Sequence, residues 1–202
     1  GRAIASVRST DVFETYDVSL DGFWMDKYEI TIAQYDQFMM PDCFAQECSE
    51  SFLPKEVTWL EAVELCAFRN ARLPSEEEWE YAASGSSGYI FPWGNDLDPE
   101  LLENDSYTEF DLYDVGTKEI NVSWAGIYDM VGNAAEWTDD IFQPYSDDTD
   151  LDAWHTVWTE YERVLRGGSA SNSITEKTTY SRQGAWYNTA GVRCVRTTSP
   201  AS

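Results

Sequence analysis

Apolar and polar positions alternate from Val18 to Tyr28, and that period of two predicts a strand or hairpin. Three stretches with helical spacing follow, and all three open with the same signal. Thr31 with Gln34, Thr58 with Glu61, and Ser75 with Glu78 each place a hydroxyl three residues before a carboxylate or amide. In a capping box those two side chains satisfy backbone amides that the first helical turn leaves unpaired. The first helix is expected to run to about Met39 and to bury Tyr35 and Phe38. The second turns Ala62, Leu65, Cys66 and Phe68 inward. Pro74 sets up the third, whose Glu76-Glu77-Glu78 run suits the positive end of a helix. That run reads as a solvated face and cap rather than a metal site.

The helical signal ends after Ala83. Ser84 to Gly88 and Pro92-Trp93-Gly94-Asn95 read as turns, the second lying against the core, and Arg163 to Ser169 as a strand entering a glycine turn. Two acidic loops separate these elements. The first, Asp96 to Asp114, offers oxygen donors at Asn104, Asp105, Glu109, Asp111 and Asp114. Long ordered loops are usually functional or pinned, and calcium, which takes carboxylate and carbonyl oxygens, is a sensible pin. The second, Asp139 to Asp152, reads as surface. His155, the single histidine, lies between Trp154 and Trp158 and reads as packed or surface rather than catalytic. Residues 1–17 read as an irregular N-terminal extension, residues 18–196 as one domain and residues 197–202 as a tail.

One decamer gathers candidate chemistry: Asp129-Met130-Val131-Gly132-Asn133-Ala134-Ala135-Glu136-Trp137-Thr138. Gly132 and Asn133 tolerate positive φ, so the backbone can fold sharply there and aim several carbonyls at one point. Asn133 and Glu136 add side-chain oxygens, and such a set suits a hard cation of the calcium type.

At 202 residues the chain is long enough for one real core. Its nine Trp, twelve Tyr and nine Phe suit a fold held by loops rather than by long helices. Against 37 acidic residues stand 13 basic ones, and the formal charge of -24 repels nucleic acid and anionic membranes. No apolar run approaches the roughly 18 residues needed to span a bilayer, and residues 1–17 lack the apolar segment of a signal peptide. The chain starts at Gly1 rather than Met, as a mature or trimmed product would. Four cysteines permit three pairings, between which the spacing does not choose. A bridge between Cys43 and Cys48 would pin a small polar excursion.

Six motifs stand in a telling order: Tyr28-Glu29-Ile30-Thr31, Arg72-Leu73-Pro74-Ser75-Glu76-Glu77-Glu78-Trp79-Glu80-Tyr81-Ala82-Ala83, Pro92-Trp93-Gly94-Asn95, Gly126 through Trp137, Arg163 through Ser169, and Gly191-Val192-Arg193-Cys194. Together they resemble the sulfatase-modifying-factor family, whose best-known members are the formylglycine-generating enzymes. The resemblance covers about Val18 to Arg196. It implies an α+β, C-type lectin-like fold of the formylglycine-generating-enzyme type, loop-rich with short helices and small antiparallel sheets. It also implies calcium at one or two sites. Asn104 and Asp105 match one, and Glu136 with the backbone oxygens of Val131, Gly132 and Ala134 matches the other. Cys66 and Cys194 occupy positions that are bridged in secreted members. With Cys43 and Cys48 they make one long-range and one close pair, which favours an oxidising, extracytoplasmic compartment: periplasmic, cell-surface or secreted. Family members usually begin with an apolar strand, here either replaced by Ala3-Ile4-Ala5-Ser6-Val7 or absent.

The family's copper chemistry is missing. Formylglycine generators bind copper and activate oxygen with two cysteines after an Arg-Gly-Gly-Ser motif, because Cu(I) prefers soft thiolates. Ser169 to Arg182 contains no cysteine, and one histidine cannot build the three-histidine iron site of ergothioneine-type relatives. No P-loop, zinc spacing or Ser-His-Asp arrangement is present either. The expectation is a non-catalytic, calcium-stabilised extracytoplasmic module that binds a protein or glycan partner on an envelope or extracellular surface, or serves as a subunit of a larger assembly. Its recognition residues are expected around 169–190, at Asn172, Tyr180, Arg182, Trp186 and Tyr187, types that suit adaptable contacts. The alternative is an oxidative tailoring or maturation enzyme with a different redox metal, whose pocket Tyr180, Arg182, Trp186 and Tyr187 would line.

Overall fold

The computed structural model of the chain describes residues 3–8, 15–39, 51–96, 112–142, 162–169, 172, 177–185 and 188–197. Along these run β1 (Ala3–Arg8), β2 (Thr15–Leu20), β3 (Trp24–Met25), α1 (Ile32–Met39), α2 (Trp59–Phe68), α3 (Glu76–Ser84), β4 (Glu136–Ile141), β5 (Arg163–Arg166), β6 (Arg182–Ala185) and β7 (Val195–Arg196). The strands pair antiparallel: β1 with β2, β3 with β7, and β4, β5 and β6 in that order. Among the described residues no helix is long and apolar enough to cross a membrane.

Local chemistry starts each helix as expected. At α1 the Thr31 amide donates to Gln34 Oε1 at 3.1 Å, and the Gln34 amide donates to Thr31 Oγ1 at 3.2 Å. Thr58 with Glu61 closes the same box at α2, and Ser75 with Glu78 at α3. The inward faces differ in detail from expectation. Ala62, Leu65 and Cys66 are buried, but Phe68 is 62% exposed. It closes the last turn of α2 and meets Phe38 at the rim, with ring centroids 6.3 Å apart. Tyr35 and Phe38 are half-buried against the core rather than within it.

Two expected loops contain strand. The N-terminal stretch read as irregular holds β1, whose Ala3 lies opposite Leu20 and Arg8 opposite Thr15. A strand therefore does occupy Ala3 to Val7. Its order comes from pairing with β2, which the segment's own mixed composition does not announce. Likewise Asp139 and Asp140 belong to β4, because β5 offers Arg163 opposite Ile141.

The core lies where α2, β4, β5 and the C-terminal segment meet, around Ile30, Trp59, Leu65, Trp137, Leu165 and Val192. A second cluster, with Trp79, Ala82, Ile127 and Met130, lies beneath α3. The segment from Ala190 to Arg196 joins distant parts of the chain to this core. Asp26, Ile30, Val57, Arg72 and Trp137 donate their amides to Cys194, Val192, Ala190, Val195 and Gly191 at 2.8–3.1 Å. Gly191 allows that approach, since a Cβ there would stand 3.0 Å from Ala134 Cβ and 3.2 Å from the Ala135 carbonyl oxygen.

Cys66 and Cys194, both buried, form a disulfide across 128 sequence positions, as the family resemblance implied. Cys43 and Cys48 lie outside the described residues. The bond fastens α2 to the C-terminal segment. Replacing both cysteines with alanine should lower stability by about 2–5 kcal/mol, mostly by freeing a long loop in the unfolded chain. Urea unfolding of the variant beside the oxidised parent checks this, and coincident midpoints would refute it.

Candidate functional site

Three residues with positive φ shape the decamer turn: Asp129 at 57°, Gly132 at 82° and Asn133 at 58°. Gly132 and Asn133 were expected there, and Asp129 adds a third left-handed position. Side chains then lock the turn. Asn133 Nδ2 donates to Glu29 Oε2 at 2.8 Å, and the Ala134 amide donates to Glu29 Oε1 at 3.1 Å. Asn133 Oδ1 accepts from the Tyr113 amide at 3.0 Å, and Asp129 Oδ2 accepts from the Gly116 amide at 2.6 Å. The turn thereby clamps residues 113–116 onto the chain ahead of α1.

Glu136, the first residue of β4, points inward and is buried. Its Oε1 accepts from Arg193 Nη2 at 2.7 Å and from Arg193 Nε at 3.1 Å. Its Oε2 accepts from Trp79 Nε1 at 2.7 Å and shares Arg193 Nε at 3.1 Å. Arg193 also donates to the carbonyls of Asp26 at 2.9 Å and Tyr128 at 2.8 Å. Burial alone would lower the pKa of this guanidinium, but Glu136, Glu29 and Asp129 around it hold it above its ordinary value. Burial, then the charge of Glu136, pushes the Glu29 carboxyl well above the carboxylate range, against the pull of Arg193. Asp129 is raised mainly by burial, with the Gly116 amide opposing. Three acids around one guanidinium leave a buried excess of negative charge, and proton uptake relieves it.

A carboxylate has about four acceptor positions, and Arg193 and Trp79 engage those of Glu136. A calcium ion held at this turn would share the Glu136 oxygens with Arg193 and Trp79. Of the expected co-ligands, the Val131 carbonyl accepts from Asn121 Nδ2 at 2.6 Å and keeps a second lone pair. Gly132 and Ala134 lie in the same turn. Asn121 Oδ1 is buried beside them and meets no donor among the described residues, so spare oxygen capacity lies on that side of the turn. Among the described residues no three His, Cys, Asp or Glu side chains are grouped to hold a metal. Asn104 and Asp105 lie outside the described residues.

A second buried network corrects the reading of α3. Glu76, Glu78 and Glu80 are buried, not solvated. Arg166 of β5 donates to Glu76 Oε1 at 2.7 Å, to Glu80 Oε2, and to the Thr179 carbonyl at 2.6 Å. Arg182 of β6 donates to Glu76 Oε2 at 2.9 Å. Arg72 grips Glu78 with two bonds of 2.6 and 2.7 Å. The partners of Glu76 arrive 90 and 106 positions later, so no local pattern around Glu76 announces them.

The expected recognition stretch also turns partly inward. The Ser169 amide and hydroxyl donate to Asn172 Oδ1 at 2.6 and 2.9 Å, so Asn172 closes the turn after Gly167 and Gly168. Arg182 is buried on Glu76, with its guanidinium 4.8 Å from the centre of the Phe142 ring. Lys177, Thr178 and Thr179 are buried, and Tyr180 is half-buried. Trp186, Tyr187 and His155 lie outside the described residues. Sequence reasoning missed Glu29, Trp79, Arg166 and Arg193 as network residues, although each stands inside a quoted motif.

Two outcomes follow from these charges. Glu136→Ala strands Arg193 among other buried groups and should lower stability by about 3–5 kcal/mol, measured by chemical unfolding; a loss under about 1 kcal/mol would contradict the arrangement. Asp140 Oδ2 accepts from the Glu76 amide at 2.6 Å. Burial and the nearby Glu77 charge nevertheless raise its pKa from 3.8 to about 7. A raised folded-state pKa means that the stability Asp140 contributes is complete below about pH 4 and is lost as pH rises through about 7. Asp140→Asn should therefore raise Tm at pH 8, and most of that gain should vanish at pH 4.

The family model and the sequence relatives point to one family, and the solved structures share its fold. The family model described as sulfatase-modifying factor enzyme 1-like domain matches residues 5–198. The "inactive C-alpha-formylglycine-generating enzyme 2" of Mus musculus is 36% identical over 123 residues, covering 56% of this chain and 36% of the mouse protein. The formylglycine-generating enzyme of Bos taurus is 27% identical over 215 residues, covering 75% of this chain and 58% of the bovine protein. The match thus spans 36% to 58% of these relatives' own length. Among solved structures, Treponema denticola variable protein 1 superposes with a TM-score of 0.72 at 19% identity, covering 96% of this chain and 94% of that one.

Proposed function

The chain belongs to the sulfatase-modifying factor enzyme 1-like domain family and has an α+β, C-type lectin-like fold of the formylglycine-generating-enzyme type, and on that premise we propose that it is a non-catalytic extracytoplasmic binding or assembly module. The stretch that follows the Arg-Gly-Gly-Ser turn carries this reading. It holds no cysteine with which to bind copper. Its polar residues serve the fold instead: Asn172 closes a turn, and Arg182 neutralises Glu76. Similarity to a mouse protein named as inactive supports the same reading.

The Cys66–Cys194 bond supports an oxidising compartment. Calcium stabilises the loops in this proposal, held by the carbonyls of Val131, Gly132 and Ala134 and, at a second site, by Asn104 and Asp105. Glu136, paired with Arg193, completes the first of these sites in the proposal. A protein or glycan partner on an envelope or extracellular surface docks on the loops around 169–190, and the acidic surface disfavours nucleic acid.

Elemental analysis of the purified, unchelated protein tests the proposal, together with melting curves with and without EDTA. One or two calcium ions per chain, no copper or iron, and a Tm that falls on chelation are expected. Stoichiometric copper or iron with oxygen consumption would overturn it in favour of an oxidative tailoring enzyme. A melting temperature indifferent to EDTA would remove calcium from the proposal.

A further inference from the structure

A cavity of about 350 Å³ opens beside the C-terminal half of α3, and none of the described residues lining it belongs to the buried ion-pair networks. Ala82 and Ile127 reach it from the cluster beneath α3, and Phe23 and Met25, which pack against that cluster, line it as well. Three further aromatic side chains extend this apolar surface: Trp24, Tyr81 and Trp124. Trp24 is 56% exposed and Trp124 53%. Two large rings left to water beside a concavity hold binding area that the fold itself does not use. Trp124 is fixed before any ligand arrives. Its Nε1 donates to the Tyr81 carbonyl at 2.8 Å, and the two rings meet edge to face at 5.2 Å. It also bears on Gly85, where a Cβ would come within 2.9 Å of its Cδ1. The backbone of Trp24 is set by the pairing of β3 with β7. A ring already held in place loses little freedom when a ligand stacks on it.

Size and surface together choose the ligand. An apolar cavity of about 150 Å³ takes one benzene ring, so this one accommodates two fused rings. Ala82, Ile127, Phe23 and Met25 favour any group that buries apolar area against them. An aromatic ligand gains in addition the offset and edge-to-face contacts that Trp24, Tyr81 and Trp124 offer, which an alkyl chain does not. Asp21 also lines the cavity and already has an interaction of its own; a neutral ring asks nothing of it. An aromatic side chain from another protein would bring its peptide groups against these rings, and polar groups buried without partners cost free energy. A free molecule has no such groups. We infer that the cavity bounded by Trp24, Tyr81, Trp124 and Ile127 binds a free, neutral, planar aromatic molecule of one or two fused rings. None of its described lining residues belongs to the loops around 169–190, so this is a site separate from the proposed docking surface.

Calorimetric titration of the whole chain with 2-naphthol tests this. EDTA is present throughout, which separates the result from the calcium proposal. Saturable binding with a Kd below about 1 mM is expected. Decahydro-2-naphthol, which keeps the two-ring skeleton and the hydroxyl but loses the aromaticity, should bind at least about threefold more weakly. Trp24→Leu removes a stacking face, and Ala125→Phe crowds the lining. Each should weaken binding at least about threefold with Tm unchanged, since both positions are exposed. A short peptide with one tryptophan and the disaccharide cellobiose serve as competitors, and neither should displace 2-naphthol. Tighter binding of the peptide would assign the cavity to a protein partner, and tighter binding of cellobiose to a glycan; both outcomes overturn the inference. Equal affinity for the saturated analogue, or no saturation by about 3 mM 2-naphthol, would overturn it too.

Discussion

A guanidinium buried away from water needs its N–H groups met, and Arg193 meets that condition by drawing separate parts of the chain to itself. Glu136 supplies the charge, while the carbonyls of Asp26 and Tyr128 supply further acceptors. Because Glu136 also receives the Trp79 indole, one ion pair fixes the C-terminal segment, β4 and α3 in a single arrangement. The Asp129–Asn133 turn and Glu29 then close around that pair. Lysine could not replace Arg193, since a single ammonium does not reproduce the fork that spans two carboxylate oxygens and two carbonyls.

The second network has the same logic and adjoins the first, with the Arg166 guanidinium 5.4 Å from the centre of the Trp79 ring. Arg166 and Arg182 bring Glu76 and Glu80 inside, and Arg72 holds Glu78. The chain has only 13 basic residues to set against 37 acids. Each buried arginine is matched by carboxylates, so the chain's formal charge stays strongly negative. That distribution keeps neighbouring copies apart at low salt and favours basic or cationic ligands over nucleic acid.

What could be read in the sequence was largely local or already collected in motifs. Each capping box depends on residues three apart, and all three form. The Gly132-Asn133 turn is a backbone preference and takes the shape expected. Phe68 was misplaced because helical periodicity does not say where a neighbouring core ends. Glu76-Glu77-Glu78 looked solvated because the arginines that bury Glu76 come from β5 and β6. The Cys66–Cys194 pairing came from family resemblance, as four cysteines by themselves leave three choices. The Arg193 partner of Glu136 was not legible for a related reason: the two residues stand 57 positions apart.

The segment from Ala190 to Arg196 accepts amides from Asp26, Ile30, Val57, Arg72 and Trp137 and ends beside β3. During vectorial synthesis these early residues leave the ribosome long before their partners exist. Helices α1, α2 and α3 can form from their own caps, but the surfaces they turn inward stay open until the last strand emerges. Cys66 likewise cannot pair with Cys194 until a further 128 positions have been made. A domain whose core depends on contacts between residues as far apart as Asp26 and Cys194 cannot mature piecemeal.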